Sequence, residues 1–139
     1  MTRVRKFLSR SPAERRLLLC TLVLYVVVSV LLTWVSFGRL RRWGARLSTA
    51  REARPCDAAR EQAVVWAVST AAVVIALRDS CLAEALTAHW LLAASGRASI
   101  VRIGIAPAAG RPFTAHAWLE SQGRAVLGAP DGSAYLTLE

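Results

Sequence analysis

The sequence predicts an α+β fold in which N-terminal helices precede a small antiparallel sheet. Three observations carry this. Long uncharged stretches, 17–38 and 63–77, each follow a helix-start signal. An amphipathic stretch from Cys81 to Ala94 stops at Gly96, a residue suited to the C′ position of a helix. Beyond Gly96 the texture turns to short β-rich runs punctuated by glycine and proline. The 139 residues leave room for one domain and an appended segment. The expected division is a basic, apolar helical segment over 1–54 and a compact domain over 55–139.

The first helix start is Ser11-Pro12-Ala13-Glu14, with Ser11 as N-cap, Pro12 at N1 and Glu14 at N3. Leu17 to Gly38 then gives 22 positions without a charge. At about 1.5 Å per residue this could cross a hydrocarbon core of roughly 30 Å. Two readings stand open: a membrane-crossing helix, or one buried in the core or against a partner. Arginines at both ends give no orientation signal. In the basic stretch 38–49, Leu40, Trp43 and Leu47 share one helical face. This is expected as a short surface helix, or as a partner or membrane contact. A linker with Pro55 follows, and Asp57 caps the next helix. Ala63 to Leu77 is too short to span and is expected as a buried core helix. Arg78-Asp79-Ser80 breaks the run, and Asp79 or Ser80 can cap the helix that Cys81 begins.

The strands are expected at 99–105, 113–120 and 124–127, with a short last one at 135–138. Residues 107–112 and 129–132 are expected as loops and Gln122-Gly123 as a turn, which makes an antiparallel meander.

Hydrophobic residues make up 55% of the chain and charged ones 19%, too apolar for disorder. The net charge of +9 is uneven. Residues 1–60 hold thirteen Arg/Lys against three Asp/Glu, and 61–139 hold five against six. The arginines bracket an apolar run and no nucleic-acid motif accompanies them, so no nucleic-acid partner is expected. A membrane face or an acidic partner fits better. The three cysteines, Cys20, Cys56 and Cys81, are odd in number and form no CxxC. That argues against a disulfide framework and against a metal site. A reducing compartment follows, and no cofactor is implied. Cys20 and Cys56 read as small buried hydrophobes. No small-residue cleavage site precedes Arg39, so a cleavable signal is not expected. The protein is expected in the cytoplasm, free or held at a membrane through 17–38.

Chemistry concentrates on Cys81 and His116. Cys81 lies in the first turn of its helix, where the dipole and unpaired N–H groups stabilise a thiolate. On the second strand, His116, Trp118 and Glu120 point one way, while Ala115, Ala117 and Leu119 point the other. A helix-terminal thiol and a strand-borne imidazole are the nucleophile and base of a cysteine enzyme. The alternative is a structural thiol and a satisfied histidine. His89, eight residues beyond Cys81 and so about 12 Å along the helix, cannot serve as its base and reads as a surface or core residue. A third group must orient His116. After the Gln122-Gly123 turn the first carboxylate is Asp131, which also reads as a plain turn residue. A neutral or backbone acceptor is the other choice. Glu120 is expected to be solvated.

Cys81-Leu82-Ala83-Glu84-Ala85-Leu86, Gly96, Val101-Arg102-Ile103-Gly104-Ile105, and Ala115-His116-Ala117-Trp118-Leu119-Glu120 with Gly123 and Gly128 resemble the lasso-peptide biosynthesis B2 proteins. These are stand-alone leader peptidases of the transglutaminase-like cysteine protease superfamily. The resemblance covers about residues 55–130. It implies a papain/transglutaminase-like core, a Cys-bearing helix packed on a small antiparallel sheet. It also implies cleavage of the leader from a ribosomally made precursor peptide. A separate B1-type leader-recognition protein would deliver the precursor, and an asparagine-synthetase-like, ATP-dependent cyclase would close the macrolactam. Cys81 matches the nucleophile and His116 the base. Where that family often carries Asp, this chain has Gly128, with Asp131 three residues on. Two other functions fit the residues: a non-enzymatic membrane-associated scaffold, and an amidase or acyl transferase using the same Cys-His pair.

Overall fold

The computed structural model describes residues 8–49, 57–75, 81–108, 110–129 and 136–138. Among them are four helices of eight residues or more: α1 (Pro12–Trp34), α2 (Phe37–Thr49), α3 (Ala58–Ile75) and α4 (Cys81–Ala94). Four strands follow: β1 (Ile100–Ala108), β2 (Arg111–Ser121), β3 (Arg124–Leu127) and β4 (Leu136–Leu138). Helices first, sheet second, is the expected α+β order. Cys56, Asp79, Ser80, Asp131 and Tyr135 lie outside the described residues.

The start signals act as the sequence implies. Ser11 and Glu14 form a reciprocal capping box on α1, with Pro12 in its first turn. The Asp57 carboxylate accepts from the N–H groups of Ala59 and Arg60 and so caps α3. The uncharged run 17–38 is not one helix, however. α1 ends at an extended Val35, and α2 restarts at Phe37. Cys20 is exposed rather than buried, because it lies on the side of α1 away from the core. α1 and α3 are each long and apolar enough, by length and composition, to cross a membrane.

α4 is the hub. Alanines and leucines around its circumference are buried, so neighbours pack on several sides. Leu86 and Leu92 share one core with Tyr25 and Val28 of α1, Leu40 of α2, and Val64 and Val68 of α3. That core continues into Val101, Ala117, Leu119 and Leu127 of the sheet. α2 is held closely. A Cβ at Gly44 would sit 2.7 Å from the Trp90 ring and 2.8 Å from the His89 ring, so only glycine fits there. The Trp90 indole N–H donates to the Leu40 carbonyl at 3.0 Å.

The sheet order is β3-β2-β1-β4, antiparallel throughout. The first three strands form the expected meander, but β4 returns to the far edge of β1, pairing Ile103–Ile105 with Leu136–Leu138. The expected loop 107–112 is largely strand. Pro107 and Pro112 are accommodated beside an irregularity in register at Ala106/Ala108, and Pro107 lies beyond the β4 pairing, where a missing N–H breaks no ladder bond on that side.

An ion cluster centred on the buried Glu61 ties the layers together. The Glu61 carboxylate of α3 meets Arg97, which precedes β1, at 2.7 Å and Arg124 of β3 at 2.9 Å. Arg97 also donates to the Asp57 carbonyl.

Candidate functional site

Cys81 is the first residue of α4. Its thiol is free and half-buried, packed against the central core. A thiol at this helix end lies at the positive end of the dipole.

His116 stands in the middle strand pair, opposite Gly104 of β1. Its half-buried ring has a defined partner on the other side. Nε2 lies 2.8 Å from the carbonyl oxygen of Gly128, just past β3. A carbonyl can only accept, so Nε2 carries the hydrogen, and the lone pair of the neutral ring is on Nδ1. The backbone of Gly128 makes this bond available. Its φ is +67°, and a Cβ there would meet the Ala117 carbonyl at 3.2 Å. The register irregularity between Leu119 and Glu120 shifts β3 against β2 just before this point.

The rest of that face is also tied down. The His116 and Trp118 rings stack with centroids 6.2 Å apart. The Trp118 indole donates to one Glu120 oxygen at 3.0 Å, and Arg102 donates to the other at 3.2 Å. Glu120 is therefore not the purely solvated residue the sequence suggested. The indole bond does most to hold its carboxyl below the ordinary value, burial opposes it, and the hydrogen bond and charge of Arg102 add to the lowering.

α4 packs on the face made by Val101, Ala117 and Leu119. Strand alternation puts His116, Trp118 and Glu120 on the other face. Among the described residues no hydrogen bond joins the Cys81 thiol to His116. The structure thus presents a helix-terminal thiol and an oriented imidazole on elements that belong to one packed unit. Asp131 lies outside the described residues, and the orienting partner seen is the Gly128 main chain. In the sequence this partner is legible only as a glycine ending a short strand, because its acceptor is not a side chain.

His89 belongs to the core, as its position on α4 allows. It is buried, with Nδ1 2.8 Å from the Ser99 hydroxyl. Burial pushes its imidazole below the ordinary value; the Arg41 carbonyl opposes this and the Arg41 charge adds to it. Among the described residues no group of three or more His, Cys, Asp or Glu is placed to hold a metal ion.

The family model described as Transglutaminase-like superfamily matches residues 24–138. No curated protein and no solved structure matches the chain significantly.

Proposed function

Because the chain belongs to the transglutaminase-like superfamily, whose members include cysteine peptidases and acyltransferases, we propose that it is a cysteine peptidase. Its substrate is a ribosomally made lasso precursor, cut between leader and core. The observation that carries the reading is the His116–Gly128 hydrogen bond, which holds the ring in place and puts its Nε2 hydrogen on the carbonyl.

In this reading Nδ1 of His116 takes the Cys81 proton. The thiolate attacks the carbonyl carbon at the leader–core junction, and the Cys81 N–H is one donor to the oxyanion. The tetrahedral adduct collapses, the C–N bond breaks, and the imidazolium gives its proton to the leaving amine. Water, deprotonated by the same ring, then hydrolyses the thioester on Cys81. The first step requires thiol and imidazole to come within hydrogen-bond reach, and from the opposite faces of β2 that they occupy here this takes a rearrangement of α4 against the sheet. Substrate delivery by a B1-type leader-recognition protein supplies a natural occasion for that rearrangement. The freed amine then passes to the asparagine-synthetase-like cyclase, and all three act in the cytoplasm.

The test is to incubate precursor and recognition protein with wild type, Cys81→Ala and His116→Ala. Leader release should vanish with Cys81→Ala and fall by about 10²–10⁴ with His116→Ala. Normal release by Cys81→Ala would overturn the reading. Product mass separates hydrolysis from acyl transfer to another amine.

A further inference from the structure

α1 has two apolar faces and only one of them is used. Leu17, Leu18, Tyr25 and Val28 are buried in the protein. On the opposite side Leu19, Val23, Val26, Val27, Val30 and Trp34 recur at helical spacing, and each is 43–86% exposed. They form one stripe about 22 Å long. A helix that is apolar all round is covered on all sides, by protein or by lipid.

The charges around the stripe identify what covers it. Arg16 is exposed on the same side of the helix, three residues before Leu19. Past Trp34, Arg39, Arg41 and Arg42 are exposed on α2. Glu14 is the one acidic residue from Leu8 to Thr49, and Arg10 pairs with it at 3.0 Å. A second copy laid on this face would bring like charges together at one end or the other. A membrane-spanning α1 would put the two arginine groups on opposite sides of the bilayer and would strip its inner face from α3 and α4. An α1 lying in the membrane plane puts both groups into one layer of anionic headgroups, with the valines below them and Trp34 at the interfacial level.

We propose that the outer face of α1 docks on an anionic membrane surface, the helix lying in the headgroup plane while its inner face stays in the protein core. The surface is separate from the Cys81 and His116 elements, so the proposal stands whether or not the peptidase reading does.

The experiment floats the full chain with vesicles of phosphatidylcholine, with or without about one-quarter phosphatidylglycerol. The protein should bind the anionic vesicles, be displaced by salt, and be released by alkaline carbonate. Val23→Glu with Val30→Glu should abolish binding with an unchanged circular dichroism spectrum, since both side chains are exposed. Arg39→Gln with Arg42→Gln should weaken binding about thirtyfold, at about fivefold per arginine. This second pair keeps the test decisive if the glutamate variant fails to fold. Equal binding to neutral vesicles would overturn the proposal, as would resistance to carbonate, which marks a spanning helix. So would a dimer that the glutamates dissolve, or absence of binding by the folded protein.

Discussion

Among the described residues the group that meets the His116 ring nitrogen is the Gly128 carbonyl. A main-chain oxygen does not titrate, and its position is set by backbone dihedrals rather than by a rotamer. Gly128→Ala tests that dependence. The left-handed φ costs an L-residue about 1–2 kcal/mol, and the new methyl would press on the Ala117 carbonyl. The expected result is a stability loss of about that size in urea unfolding. The rate of Cys81-dependent cleavage should fall by up to about a hundredfold through misplacement of the ring, in kcat more than in KM. Unchanged kcat in a folded variant would show that the carbonyl does not position His116.

At the level of elements, His89 is where α4, α2 and the entry to β1 meet. Its value is lowered by burial, so the folded protein binds fewer protons here than the unfolded chain. Stability therefore falls as pH drops below the unfolded value of 6.5, and the loss continues down to the lowered folded value. Melting temperature measured from pH 8 to about 5, above the ordinary carboxylate range, should show this slope. His89→Gln should flatten it, and a slope that persists in the variant would assign it elsewhere. The helices themselves were well marked in the sequence, because Ser11, Pro12, Glu14 and Asp57 signal starts by local chemistry. The break at Val35 was not, since nothing charged or conformationally special announces it between Leu17 and Gly38. The proline-bearing ends of β1 and β2 were hidden for a related reason. Pro107 reads as a loop residue until the neighbouring strand is known to stop short of it.

Across the whole molecule, Glu61 links α3 to the segment before β1 and to β3 with two arginines of different worth. Arg97 is 7% exposed and Arg124 is 66% exposed. Glu61→Gln takes the carboxylate from a buried Arg97 charge that keeps its bond to the Asp57 carbonyl, which should cost about 3 kcal/mol. Arg124→Gln removes a solvent-screened pair and should cost less than about 1 kcal/mol. Chemical unfolding of both variants checks the contrast, and equal losses would refute it. No sequence pattern announced this cluster, because its members are far apart in the chain and meet only through tertiary packing. The site was legible to the same extent: Cys81 at a helix start and His116 on a strand are local facts, whereas the Gly128 acceptor and the face that α4 covers are not.

The hydrogen bond from His116 to Gly128 spans twelve residues and lies within one hairpin, a unit of the kind that closes in about 1–10 μs. The thiol sits thirty-five positions before the imidazole, on a helix that must dock from elsewhere. The two halves therefore differ in cooperativity. Freeing α4 opens the core it shares with the other helices and the sheet, so the placement of the Cys81 thiol is tied to the global unfolding of the protein, whereas the His116–Gly128 bond depends on a closure local to its hairpin.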